Sequence, residues 1–151
     1  MEGFMRNINR MFALEFQSSF AGFFEQLDKV DDANSLLFHC SAGKDRTGFA
    51  AAMFLSCLNV DRDTVISDYL LTSQYYRPEV EIPKIKERWT SIRSDKYDPM
   101  RLKPMLQVLP EYIDEAFKSI DQHYDSIEHY LEEALGIDEA KKRDLHQKFL
   151  D

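Results

Sequence analysis

Residues 35–58 constrain the fold more than any other stretch. A short apolar run, Ser35-Leu36-Leu37-Phe38-His39, leads into a polar loop containing Gly43, and Arg46 to Leu58 is then apolar on almost every side. The run has the length and composition of a buried strand, and the segment after the loop that of a helix enclosed in a core. A loop between a strand end and a helix start gathers backbone N–H groups and the positive end of a helix dipole at one point. That is a natural place for an anion.

The flanking sequence reads as helix. Apolar residues recur at helical spacing from Met1 to Val30 (Phe4, Ile8, Met11, Phe12, Phe16, Phe20, Phe23, Phe24, Leu27), giving one long helix or two, broken near Ser18-Ser19. Asp31-Asp32-Ala33-Asn34 signals a turn. Asp61, with Thr64 three residues on, caps a helix reaching Tyr76 and stopped by Pro78. Residues 79–93 form a helix with Pro83 in its first turn, and Asp98-Pro99 opens a short connecting helix. Pro110 begins a helix over 111–124, Asp125 or Ser126 caps Ile127–Leu135 ahead of Gly136, and Asp138 caps a last helix to Leu150. The expected fold class is therefore mostly α, with about seven helices and one strand at 35–39. It is organised as a single domain over 1–151: a helical lead-in at 1–34, a strand, loop and core helix at 35–58, and a helical subdomain at 59–151.

Within the loop, His39-Cys40-Ser41-Ala42-Gly43-Lys44-Asp45-Arg46-Thr47-Gly48, each residue type suits phosphate chemistry. Attack on a phosphate monoester dianion calls for an already ionised nucleophile, and a thiolate at a helix start is one. Ser41, Ala42, Gly43, Lys44, Asp45 and Arg46 can turn their backbone amides inward, and Gly43 permits the sharp turn. The Arg46 guanidinium matches two phosphate oxygens. Thr47 can donate its hydroxyl to the Cys40 thiolate. Asp45 is a candidate acid for the leaving oxygen, because a bound phosphate dianion favours a proton on a carboxyl beside it. Lys44 can contact substrate or balance Asp45.

Residues 39–48 resemble the signature of the protein tyrosine phosphatase superfamily. The Gly-Lys-Asp-Arg-Thr-Gly form is similar to that of the atypical bacterial tyrosine phosphatases with dual or lipid specificity. The resemblance extends through Asp68–Tyr76 and the helices around Pro110–Gly136. It implies an α/β fold of the cysteine-phosphatase type, a cysteinyl-phosphate intermediate on Cys40, Asp45 as general acid and His39 as a residue that orders the loop. It also implies a central sheet whose strands mostly precede the catalytic cysteine. Only 39 residues precede Cys40, and they read as helix. The chain then corresponds to the C-terminal half of such a domain, its upstream strands supplied by another polypeptide or replaced by self-association.

The expected activity is hydrolysis of phosphate monoesters on protein tyrosine, with dual or phosphoinositide activity open. A catalytically impaired phosphate-binding or assembly fragment is the alternative, and a redox role with a second thiol is a more distant one. No metal or other cofactor is called for. The net charge of −8 argues against broad nucleic-acid binding. The charge is uneven: residues 77–103 carry net +3 between segments of −4 and −7. That basic stretch (Arg77, Lys84, Lys86, Arg88, Arg93, Lys96, Arg101, Lys103) suits either a solvated face or attraction of an anionic substrate or membrane surface. No signal peptide or membrane span is apparent, and two cysteines make no disulfide framework, so a cytoplasmic setting is expected with unconventional export left open. Cys57 belongs to packing. His123, His129 and His146 suit solvent-exposed positions, while Phe12, Phe16, Phe20 and Phe24 suit core or a partner surface. Tyr69, Tyr75 and Tyr76 suit the active-site border or the core.

Overall fold

The computed structural model describes residues 2–31, 33–90 and 103–150, with backbone only for 88–90. Nine helices form among these residues: α1 Glu2–Leu14, α2 Gln17–Leu27, α3 Asp45–Cys57, α4 Arg62–Tyr75, α5 Pro78–Thr90, α6 Lys103–Leu106, α7 Pro110–Tyr124, α8 Ile127–Leu135 and α9 Glu139–Leu150. None is long and apolar enough to cross a membrane.

Helix α3 holds the centre. Phe49, Ala50, Ala52, Met53 and Cys57 are all buried, as its all-round apolar sequence requires. Around it, α1 packs along α7, α4 lies against α3, and α8 meets α2 and α7. Buried Met5, Asn9, Phe12 and Ala13 fall one turn apart on α1, giving it the single inward stripe that its spacing predicts. Aromatic edges tie the N-terminal pair to the centre: the Phe20 and Phe49 rings sit 4.7 Å apart, and Phe12 and Phe49 6.0 Å apart.

The caps follow the sequence signals. Asp61 accepts from the Thr64 amide at 3.0 Å, Asp138 accepts from the Lys141 amide at 2.9 Å, and Gly136 closes α8 at φ 70°. Of the two candidates before α8, Ser126 is the cap, accepting from the His129 amide at 3.2 Å.

Several expectations are corrected. The N-terminal helices part at Glu15-Phe16, and Ser18 and Ser19 lie inside α2. The Glu15 and Phe16 amides both turn back to the Met11 carbonyl, at 2.8 and 3.2 Å. The Gln17 amide group then covers the Ala13 carbonyl at 3.0 Å while also donating to the Tyr124 hydroxyl at 2.6 Å, so a tertiary contact fixes the break. Pro78, not Pro83, occupies the first turn of α5; Pro83 lies inside the helix. The Asp98-Pro99 helix lies outside the described residues.

The expected strand is absent. Residues 35–39 take no regular secondary structure, and Leu37 is 88% exposed. A strand exists only by pairing, and no strand forms among the described residues to offer it an edge. The fold seen here is accordingly helical, and the α/β class is not realised within it.

Candidate active site

Cys40 ends the irregular segment, and the 41–44 turn delivers the chain to α3, which begins at Asp45. Gly43 sits at φ 63° with open space around it, so backbone conformation alone requires glycine there. The half-buried Cys40 sulfur faces the start of α3. Burial would push its thiol up. The Thr47 hydroxyl and the backbone amides of Thr47, Lys44 and Ala42 outweigh that, and the thiol is lowered from 9.0 to about 6. That lowering favours the thiolate of Cys40 at neutral pH. The Thr47 hydroxyl is itself buried, with no strictly aligned hydrogen-bond partner among the described residues; the thiolate is the group it serves. Thr47→Ala should raise the midpoint of the pH dependence of Cys40 alkylation from about 6 by about one unit. Iodoacetamide labelling across pH measures it.

Cys57 is the opposite case. It is fully buried, and burial pushes its thiol up to about 11. It sits at the far end of α3, about 18 Å from the helix start at 1.5 Å per residue. It cannot reach Cys40, which removes the redox reading.

Cys40, Ser41, Ala42, Asp45 and Arg46 line one cleft of about 610 Å³. Its other wall is apolar: Met5, Ile8, Phe12, Phe16 and Phe20 from α1 and α2 with the turn between them, and Met105 from α6. Phe12, Phe20 and Phe24 are buried in the core as the spacing suggested, Phe16 is exposed, and the Phe12 and Phe20 rings serve core and cleft wall together. His39 is exposed, its Nδ1 lying 3.2 Å from the Cys40 carbonyl oxygen, within the loop it was expected to order.

Lys44 departs from a phosphate-contacting position. It is 2% exposed and bonded to Asp45 through both carboxylate oxygens, at 2.9 and 2.8 Å, and to the Gln107 carbonyl at 2.9 Å. Of its two expected roles, the one the geometry displays is balancing Asp45, and it also ties the loop to the residue after α6. Gln107 and the α1–α2 wall carried no recognisable sequence signal.

The whole chain, residues 1–151, matches the family described as the tyrosine phosphatase family. The chain belongs to that family. A Cupriavidus necator protein assigned by name to the tyrosine-protein phosphatases is 32% identical over 143 residues, covering 95% of this chain and 50% of that protein. The triple specificity protein phosphatase PtpB of Mycobacterium tuberculosis is 34% identical over 118 residues, covering 70% of this chain and 40% of PtpB. The chain thus spans about half the length, or less, of these relatives.

The remaining sequence candidates do not line the cleft, although Tyr76 lies near enough to Asp45 to feel its charge. Tyr75 is exposed and Tyr76 half-buried. His146 is half-buried, bonded to the Cys57 carbonyl at 3.1 Å, whereas His123 and His129 are exposed as expected. Of the basic stretch, Arg77, Lys84 and Lys86 are exposed and Lys103 is half-buried; Arg93, Lys96, Arg101 and the Arg88 side chain lie outside the described residues.

Proposed function

We propose that this chain carries the catalytic centre of a phosphate monoester hydrolase that works through a cysteinyl-phosphate on Cys40. The observation that carries the reading is the Cys40 thiol, lowered to about 6 by donors at the start of α3. It opens into a cleft that Arg46 and Asp45 share. The thiolate attacks phosphorus. Arg46 and the 41–46 amides hold the equatorial oxygens, and Asp45 protonates the leaving oxygen, then takes a proton from the water that hydrolyses the intermediate. The apolar wall from Met5 to Phe20 suits an aryl leaving group, which favours phosphotyrosine. The name of PtpB keeps phosphoserine or phosphothreonine and lipid phosphates open as further substrates.

Vanadate should inhibit hydrolysis of p-nitrophenyl phosphate competitively, since its trigonal-bipyramidal adduct on Cys40 resembles the transition state. Absence of turnover by the folded chain would favour the second reading, a phosphate-binding half that gains activity with its missing sheet. The unpaired 35–39 segment, with Leu37 exposed while Leu36 and Phe38 pack on the core, supports that alternative. Restored turnover on adding the upstream half of a relative would establish it.

A further inference from the structure

Asp45 as general acid faces a difficulty in the arrangement described above, on which this inference rests. Both of its oxygens lie on the Lys44 ammonium, so neither is free to face a leaving group. To give a proton to an oxygen in the cleft, the carboxyl must leave Lys44 on at least one side. Something has to orient it when it does.

Gly48 and Tyr69 show what is available. Asp45 and Gly48 are three residues apart on α3, so they share a face one turn apart. The Tyr69 ring from α4 meets that face with its Cδ2–Cε2 edge. A Cβ at Gly48 would come within 2.6 Å of its Cδ2 and 2.7 Å of its Cε2. Gly48 is therefore the residue that admits the ring. The tyrosine is 2% exposed, and its hydroxyl is buried with no hydrogen bond of standard geometry among the described residues. A buried unpaired hydroxyl is unfavourable unless another state of the site uses it.

The surroundings narrow the choice. The ionisable groups around Asp45 are Lys44 from the loop, Tyr69 from α4, Tyr76 just past its end, and Tyr112 from α7, with Cys40 and Arg46 in the cleft. The Tyr112 hydroxyl is already committed to the Pro104 carbonyl at 2.8 Å. The Tyr69 hydroxyl makes no bond of standard geometry but lies within reach of Asp45: burial first, then the Asp45 charge and a hydrogen-bonding contact with that carboxylate, hold its proton on well above the ordinary tyrosine range. It can only donate.

We propose that Tyr69 is the positioning residue of the acid, its hydroxyl taking one Asp45 oxygen when the carboxyl leaves Lys44, so that the other faces the leaving group. In the first step the Cys40 Sγ–P bond forms, the P–O bond to the leaving group breaks, and the Asp45 proton moves to that oxygen. The Tyr69 proton stays on Tyr69 throughout. In the second step the same hydroxyl steadies the carboxylate that accepts a proton from water.

A hydroxyl donating to the carboxylate favours its ionised form. Removing it keeps the proton on Asp45 to higher pH, which gives the test its sign. The measurement is kcat against pH for phenyl phosphate, a poor leaving group that makes P–O cleavage limiting, in the wild type, Tyr69→Phe, Gly48→Ala and Asp45→Asn. Tyr69→Phe should lower kcat several-fold, leave KM within about twofold, and move the alkaline limb up by about one unit. Gly48→Ala, which pushes the ring away, should shift the limb in the same direction. An alkaline limb unmoved in Tyr69→Phe, with only its height changed, overturns the proposal. An alkaline limb that persists in Asp45→Asn overturns instead the reading of Asp45 as the acid, so the two failures are distinguishable.

Discussion

Replacing Cys40 with serine is expected to lower turnover of an aryl phosphate by about 10⁴-fold or more while leaving phosphate binding largely intact. The size follows from the protonation state. The Cys40 thiol, lowered to about 6, favours its ionised form at neutral pH, whereas a serine hydroxyl in the same place stays protonated and is a poor nucleophile. The donors that lower the thiol remain. The Thr47 hydroxyl and the Ala42, Lys44 and Thr47 amides would still face the cleft, and Arg46 would still line it. Phosphate binding by the variant, measured calorimetrically, should therefore survive the loss of turnover. Loss of both together would mean that the variant has lost the loop, not only its nucleophile.

Asp45→Asn is expected to have the next largest effect, and it should depend on the leaving group. For phenyl phosphate the loss should be about 10²–10⁴-fold, the usual worth of a positioned acid. For p-nitrophenyl phosphate, whose phenolate leaves without help, it should be much smaller. The same substitution deprives a buried ammonium of its counter-charge. Lys44 would keep the Gln107 carbonyl and at most the asparagine amide oxygen, both neutral, and removing one charge of a buried pair costs about 3–5 kcal/mol. A lower melting temperature is thus expected alongside the kinetic loss. The leaving-group dependence separates them, because reduced stability alone would lower both rates equally.

Much of the helical layout could be read from local chemistry. Asp61 with Thr64, Ser126, Gly136 and Asp138 mark helix ends through bonds made within three or four residues, and the structure shows those ends where the signals lie. The break at Glu15-Phe16 could not be read, because Gln17 fixes it by reaching Tyr124, distant in sequence. The strand at 35–39 has the right composition, but composition cannot supply a neighbouring edge. The proposed nucleophile was legible for the converse reason. Cys40, Gly43 and Thr47 act through backbone geometry that the loop encodes over a few residues. Burial of Lys44, the apolar wall at Phe12, Phe16 and Phe20, and the Tyr69 ring on Gly48 depend on which helices meet. Periodicity places those side chains on a face without saying what the face meets.

The most direct test of the Cys40 mechanism is to trap the intermediate. The protein is mixed with an aryl phosphate, quenched within a turnover and digested, and the peptides are read by mass spectrometry. The expected result is a phosphate adduct on Cys40 that is lost on chase with water and absent from Cys40→Ser. Turnover with no adduct, or with an adduct on another residue, would contradict Cys40 as the nucleophile.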